Sequence, residues 1–186
     1  SYNTASSSKL LDKKWTKIEP EEYFKLQYEQ LLKGKKEQID KIKEDASSTP
    51  AVVSSTIEKI EKEIKDQVRQ NMDTKQGNYR KNKDDKILEI TITTINNAEY
   101  KKVVDAIKEM WQAIGIKTRI QFIDRHQIKN VLKNRDYSIL LYGEIIGSDP
   151  DPYPFWHSSQ SSYPGLNLSQ FSNRDADKLL EKGRSG

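Results

Sequence analysis

The residues best suited to chemistry lie in one short segment, SDPDPYPFWHSSQ at positions 148–160. Proline fixes the backbone φ angle and removes an amide donor, so the three prolines predict a stiffened loop rather than a helix or strand. Charged and aromatic side chains on a rigid loop are typical of recognition sites. The alternative is a turn-rich connection whose rings cover the edge of a core. The side chains in question are Asp149, Asp151, Tyr153, Phe155, Trp156 and His157.

The two carboxylates of this segment, Asp149 and Asp151, favour binding over catalysis. They are two positions apart, so on an extended backbone they point to the same side. A catalytic pair needs a raised pKa within a cleft, and a metal site needs more oxygen ligands than the segment offers. An acidic loop that faces a cleft suits a cationic group instead. The α-amino group of a peptide is such a group, because a buried ammonium needs a carboxylate partner.

The rest of the sequence gives little support for an enzyme. The two histidines, His126 and His157, lie in different segments, and no Ser/His/Asp order of a hydrolase is visible. The sequence has no HExxH pattern, no EF-hand spacing and no glycine-rich phosphate loop. It has no cysteine, which excludes disulfides, zinc thiolate sites and thiol nucleophiles. We therefore predict a protein without catalytic residues, cofactor or metal.

Length and charge restrict the partners. A chain of 186 residues can form one good core or one and a half domains. The 32 basic residues are interleaved with 28 acidic ones, so no nucleic-acid partner is predicted despite the net charge of +4. No apolar run approaches the roughly 20 residues of a membrane span, and no signal peptide opens the sequence.

The segment 19–86 has a composition of its own. It holds 15 basic and 15 acidic residues among its 68, against 17 and 13 in the other 118. Apolar residues at helical spacing on both sides of Ser47–Pro50 predict an αα-hairpin. We therefore divide the chain into an α/β core, residues 1–18 and 87–186, and a charged helical insertion, residues 19–86. The insertion is interpreted as a solvated protrusion or, alternatively, as an arm that binds a protein partner.

The segment 87–142 alternates between strand and helix patterns. Residues 87–94, 116–123 and 137–142 are rich in β-branched and apolar residues, which predicts three strands. Two helical patterns separate them, and Gly115 ends the first. A βαβαβ order predicts a largely parallel sheet. The first helix is predicted to bury an apolar stripe formed by Tyr100, Val103, Val104, Ile107, Met110, Trp111 and Ile114.

This ordered set of segments resembles one known family, the extracytoplasmic solute-binding proteins of family 5, which are the oligopeptide and dipeptide binders of ABC importers. The resemblance covers residues 9–18 and 87–183 and departs from the family at Lys14, where a glycine is expected. It implies the α/β fold of a periplasmic-binding-protein-like lobe, here with an inserted helical hairpin. It also implies that this chain is a fragment of the second lobe of a longer protein, and we expect the fragment to be monomeric. The segments that carry it are LLDKKW (10–15), LEITITT (88–94), WQAIGI (111–116), KTRI (117–120), NRDYS (134–138), the loop at 148–160, GLNLSQFSN (165–173) and DADKLLEK (175–182).

The resemblance also implies a function. A family member captures a peptide or a similar small solute between two lobes and delivers it to an ABC permease. The location is extracytoplasmic, either periplasmic or anchored as a lipoprotein on the outer face of the cytoplasmic membrane. The alternative for this chain is a helical interaction module on an α/β base, which binds a protein partner rather than a solute.

The ligand site that the resemblance implies lies on the loop and its flanks. In the family an aspartate three residues before an Asp-Pro or Glu-Pro step holds the N-terminus of the ligand. If Asp151-Pro152 is that step, Ser148 occupies the aspartate position and Asp149 is its neighbour, so either residue is a candidate. The family tryptophan that opens the loop corresponds roughly to Gly143-Glu144. The predicted ligand-binding residues are Tyr142, Gly143, Glu144, Ser148, Asp149, Asp151, Trp156, His157 and Asn167.

Overall fold

A computed structural model describes residues 3–45, 47–143 and 151–185. The chain forms two compact units, residues 1–89 with 108–118 and residues 90–107 with 119–186. The first unit contains α1 (Thr4–Leu11), β1 (Thr16–Ile18), α2 (Pro20–Gly34), α3 (Lys36–Glu44), α4 (Pro50–Asn71) and β2 (Tyr79–Lys81). Three elements have residues in both units, namely β3 (Glu89–Ile95), α5 (Ala98–Gln112) and β4 (Lys117–Ile123). The second unit continues with α6 (Arg125–Asn134), β5 (Ile139–Leu141), α7 (Tyr153–Trp156), a 3-10 turn (Ser158–Gln160) and α8 (Arg174–Arg184).

The predicted hairpin consists of three helices rather than two. Helix α2 ends at Gly34, where the N–H of Lys35 donates to the carbonyls of Leu31 and Leu32. Helix α3 then begins at once, and the apolar pattern continues on its buried Ile39. A single glycine interrupts a helix without changing the apolar spacing, so the sequence pattern hides this break.

Helix α4 provides much of the core of the first unit. Its stripe of Ile60, Ile64 and Val68 is buried, as the helical spacing predicts. Strands β1 and β2 pair antiparallel, and the ring of Tyr79 stacks on the ring of Tyr23 with centroids 3.9 Å apart. Residues 19–86 therefore contain a packed core, although the division at residue 86 stays a prediction. The buried members of this core are Ile18, Tyr23, Ile39, Ile60, Ile64, Val68 and Tyr79.

Two residues fix the end of α5 in the first unit. Arg80 of β2 is fully buried, and its Nε donates to the carbonyl of Ile114 at 2.6 Å. Gly115 follows with φ of 87°, and a Cβ atom there would lie 2.6 Å from Oδ1 of Asn78. Only glycine combines a positive φ with so close an approach. Gly115 therefore ends the helix as predicted. Because it has no side chain, it also leaves room for the side chains of Asn78 and Arg80.

The second unit has a three-stranded sheet in the order β4-β3-β5. Strands β3 and β5 are parallel, with Ile92 opposite Ile139 and Thr94 opposite Leu141. The predicted α/β class with a parallel sheet is confirmed. The third strand is shorter than residues 137–142, because its pairing with β3 involves only three residues.

The apolar stripe predicted on α5 is narrower than expected. Val104 is fully buried and Ile114 nearly so. Val103 and Met110 are exposed, however, and their assignment to the core was wrong. The prediction placed seven residues on one face, although a helix of this length buries a stripe only about 100° wide.

Candidate functional site

Three of the predicted ligand-binding residues, Glu144, Ser148 and Asp149, lie outside the described residues. Their roles stay predictions. The other six occur at two places in the second unit. Tyr142 and Gly143 follow β5. Asp151 precedes α7, Trp156 is the last residue of α7, and His157 and Asn167 lie between α7 and α8.

The end of β5 borders a cavity of about 500 Å³. Tyr142 is half-buried and contributes to its wall. Gly143 lies against Tyr100, since a Cβ atom at Gly143 would be 2.6 Å from the phenolic oxygen of Tyr100. Tyr100 was predicted to lie on the core side of α5, and its phenolic hydroxyl was the one sign in the sequence that it could face a polar site instead. The cavity is lined by Tyr137, Ser138, Ile139, Leu140, Tyr142, Leu168, Ser169 and Gln170.

Asp151 lies two residues before helix α7. Its Oδ1 accepts the backbone N–H of Tyr153 at 3.0 Å, and its Oδ2 forms an ion pair with Nε of Arg184 at 3.1 Å. The guanidinium of Arg184 also lies 4.3 Å from the centroid of the Tyr153 ring. The carboxylate is thus occupied by a turn and by a cation of the same chain, and these contacts favour a structural role over contact with a ligand.

The side chain of His157 faces inward, and its role in ligand binding stays a prediction. It is buried, and its ring stacks on Tyr153 with centroids 4.2 Å apart. Its Nδ1 accepts the backbone N–H of Ser159 at 3.1 Å, and its Nε2 lies 3.3 Å from Oε1 of Glu181 on α8. His157 therefore ties the 3-10 turn to α8.

Asp177 of α8 forms a second tie to the same turn. Its Oδ1 accepts the N–H of Ser158 at 2.9 Å, and its Oδ2 accepts the hydroxyl of Ser158 at 2.6 Å. These hydrogen bonds, helped by the nearby His157, hold the pKa of Asp177 below its ordinary value. Neither Asp177 nor Glu181 was predicted to contact the loop, because nothing in the sequence indicates that α8 packs on it.

Asn167 holds the loop together from the inside. It is fully buried, and its Nδ2 donates to the carbonyls of Trp156, His157 and Phe171 at 3.4, 3.2 and 2.8 Å. Its Oδ1 accepts the N–H of Phe171 at 3.1 Å and the hydroxyl of Ser169 at 2.9 Å. All of its polar capacity is used within the loop, which favours a bracing role over direct ligand contact.

Trp156 is a predicted residue with a large exposed surface. Its side chain is 51% exposed, and it meets Phe171, itself 39% exposed, edge to face with centroids 6.0 Å apart. Asn167 binds the backbone of both residues. The loop thus presents an aromatic pair on a braced backbone.

Arg135 braces the opposite side of the loop. It ends α6 in the left-handed region, at φ of 55°. Its guanidinium donates to the carbonyls of Ser161 at 3.1 Å and Gly165 at 2.6 Å. A Cβ atom at Gly165 would lie 2.2 Å from the carbonyl oxygen of Gln160, so this tight return requires glycine. The sequence contains no pattern from which the role of Arg135 could be predicted.

The described residues contain no group of three or more His, Asp or Glu side chains arranged to hold a metal ion. None of the helices within the described ranges has both the length and the apolar character needed to cross a membrane. The arrangement supports recognition by shape and by aromatic surface.

The chain matches the model of one protein family over residues 35–167, and that family is described as bacterial extracellular solute-binding proteins, family 5 Middle. It is also similar to the oligopeptide-binding protein AppA of Bacillus subtilis, with 28% identity over 106 residues. That similarity covers 55% of this chain and 19% of the relative. The chain therefore spans about a fifth of the length of this curated relative.

Solved structures show the same similarity. The structure of AppA from Bacillus subtilis in complex with a nonapeptide has a TM-score of 0.53 and 26% identity, covering 68% of this chain and 26% of that one. The substrate-binding protein CtaP of an ABC transporter from Listeria monocytogenes is 26% identical, with a TM-score of 0.45. That alignment covers 66% of this chain and 22% of CtaP.

Proposed function

Because the chain belongs to the family 5 bacterial extracellular solute-binding proteins, we propose that it is part of one lobe of a peptide-binding protein that serves an ABC importer. The observation that carries the proposal is the match over residues 35–167 together with the similarity to the oligopeptide-binding protein AppA. The proposed role involves no catalysis. Solute capture by closure of two lobes needs a second lobe to cover the bound ligand.

A peptide is the proposed ligand. AppA was solved with a nonapeptide, and a peptide offers a terminal ammonium group for an acidic loop. We assign this ammonium group to Asp149, with Ser148 as the neighbouring polar contact. Asp151 is a less suitable partner, because one of its oxygens already accepts a hydrogen bond from Tyr153 and the other forms an ion pair with Arg184.

Trp156 and Phe171 are the proposed apolar contacts of the ligand. An exposed aromatic pair on a braced backbone offers contact area at little cost in conformational entropy. Tyr142 and Gly143 complete the site from the end of β5, beside the cavity described above. His157 and Asn167 support these contacts by holding the loop.

The proposed partners of the longer protein are the peptide and the membrane permease of the importer, and the proposed location is extracytoplasmic. The alternative, a helical arm that binds a protein, is less well supported. Its apolar stripe of Ile60, Ile64 and Val68 is buried in the core of its own unit and is not available to a partner.

Titration calorimetry with a nonapeptide tests the proposal on two proteins, the 186-residue chain and the longer protein that contains both lobes. We expect the longer protein to bind in the micromolar range or tighter and the shorter chain to bind far more weakly. Half of a cleft leaves one side of the ligand in water, and affinity depends on desolvated contacts. Equal affinities would contradict the two-lobe proposal. No binding by the longer protein would contradict the proposal that the ligand is a peptide.

A further inference from the structure

The net charge of the chain is concentrated in one stretch. Residues 119–135 hold five of the 32 basic residues and one of the 28 acidic ones. The other 169 residues are therefore balanced, with 27 of each sign, and the stretch accounts for the whole net charge of +4. Charged side chains remain in contact with water, so such a concentration is a property of the surface.

Helix α6 arranges part of this charge in a stripe. Arg125, Lys129 and Lys133 are four residues apart, which places them on one face with an axial rise of about 6 Å between neighbours. All three are exposed, and α6 contains no acidic residue. Within the described ranges none of the three forms an ion pair. Like charges at this spacing destabilise a helix slightly, so the stability of α6 does not explain the stripe.

The surroundings of the stripe indicate what it binds. The ammonium of Lys133 lies 5.8 Å from the centroid of the Tyr163 ring, which is 50% exposed. An exposed tyrosine beside a cation suits the headgroup level of a bilayer, where one end of the ring is apolar and the other is wet. The apolar residues of α6 are half-buried, so the helix exposes no anchor for a groove on a protein partner.

We propose that the stripe formed by Arg125, Lys129 and Lys133 binds the anionic phospholipid headgroups of a membrane surface. The contact is electrostatic and peripheral. It is weak at physiological ionic strength, where the Debye length is about 8 Å. Such a contact would hold an extracellular solute-binding protein near the membrane. It adds a partner to the proposed function and does not depend on the solute.

Co-sedimentation of the 186-residue chain with lipid vesicles tests this proposal. One vesicle preparation contains only phosphatidylcholine, and the other also contains the anionic lipid phosphatidylglycerol. The stripe variant carries R125Q, K129Q and K133Q. The matched control carries K33Q, K59Q and K62Q, which removes the same charge from exposed positions on α2 and α4. Circular dichroism establishes that both variants are folded.

We expect the wild type and the control to bind only the anionic vesicles, and the stripe variant to bind them about 10- to 100-fold more weakly. Raising the ionic strength from about 0.01 to about 0.15 M should release much of the wild type, because the Debye length falls from about 30 to about 8 Å. Three results would overturn the proposal: no binding to anionic vesicles, an equal loss in the control, or a preference for polyglutamate over the vesicles in competition. The last would assign the stripe to an acidic protein.

Discussion

The side chain of Asn167 forms a reciprocal pair with the backbone of Phe171. Its Nδ2 donates to the Phe171 carbonyl at 2.8 Å, and its Oδ1 accepts the Phe171 N–H at 3.1 Å. Because Nδ2 also donates to the carbonyl of Trp156, one buried amide fixes the backbone on both sides of the exposed aromatic pair. The orientation of that pair therefore depends on a residue that does not itself reach the surface.

We expect Asn167→Ala to lower the free energy of unfolding by about 2–4 kcal/mol, because several buried backbone groups lose their partner. Thermal unfolding followed by circular dichroism measures this loss. Asn130→Ala, on the exposed surface of α6, is the control and should change the stability by less than about 0.5 kcal/mol. A loss no larger than that of the control would show that Asn167 does not brace the loop.

In the first unit, the side chain of Arg80 connects several segments in a comparable way. Its Nη1 donates to Oδ1 of Asp12 at 2.7 Å and to the carbonyl of Trp15 at 3.0 Å, and its Nη2 donates to the hydroxyl of Ser8 at 2.7 Å. Together with its bond to Ile114, the buried guanidinium joins α1, the residue before β1 and the turn after α5.

We expect Arg80→Met to destabilise the chain by about 3 kcal/mol or more, since the loss strands buried acceptors. Arg80→Lys should recover little of the lost stability, because the lysine ammonium group cannot reproduce the several planar N–H donors of the guanidinium. Urea unfolding measures both variants. Arg69→Met is the matched control, since the Arg69 side chain is 66% exposed, pairs with Asp66 on its own helix and lies 5.7 Å from the centroid of the Phe24 ring, so its loss strands no buried acceptor. Similar midpoints for Arg80→Met and Arg69→Met would refute this role.

Asn167 and Arg80 also illustrate which parts of the fold could be predicted from the sequence and which could not. The strands and helices of residues 87–142 and the buried stripe of α4 were predicted, because a regular apolar period determines both the element and its inner face. Strand β2 was not, since Tyr79–Lys81 lies in a polar stretch and becomes a strand only by pairing with β1. The burial of Arg80 depends on acceptors supplied by residues 34 to 72 positions away along the chain.

The prolines and aromatic residues singled out the segment at 148–160, but its local structure and the orientation of its side chains could not be predicted. The prediction of a loop without a helix was wrong, because α7 (Tyr153–Trp156) and the 3-10 turn (Ser158–Gln160) lie within the segment, and a proline is tolerated in the first turn of a helix. The sequence could not show that His157 and Asn167 face inward, because both polar side chains are bonded to groups supplied by the folded loop and by α8. Trp156 and His157 are adjacent in the sequence, yet one is half exposed and the other buried.

Stability at acidic pH should depend on Asp177. Hydrogen bonds from Ser158 hold its pKa in the folded chain below that of the unfolded chain. A depressed pKa means that the stabilisation is fully present above the unfolded value, about 4, and is lost as the pH falls toward the folded value.

The measurement is the midpoint of urea unfolding between about pH 7 and pH 3. The stability of Asp177→Asn should be lower than that of the wild type at neutral pH, and the difference should shrink as the pH falls. Asp175→Asn is the control, because the Asp175 side chain is 91% exposed and its pH dependence should match that of the wild type. A constant difference across the range would show that the carboxylate form of Asp177 contributes nothing.

The final prediction concerns the ligand and requires the longer protein that contains both lobes. Asp149→Asn should weaken the binding of a peptide with a free α-amino group by about 2–4 kcal/mol, because the change strands a buried ammonium. The same peptide with an acetylated N-terminus has no such charge and should lose much less affinity.

Asp151→Asn is the matched control. Its carboxylate holds the Tyr153 turn and Arg184, so it should lower the thermal stability and affect both peptides alike. Calorimetric titration of the two peptides against the three proteins measures each difference. Equal losses of the free and acetylated peptides with Asp149→Asn would show that Asp149 does not bind the ammonium group.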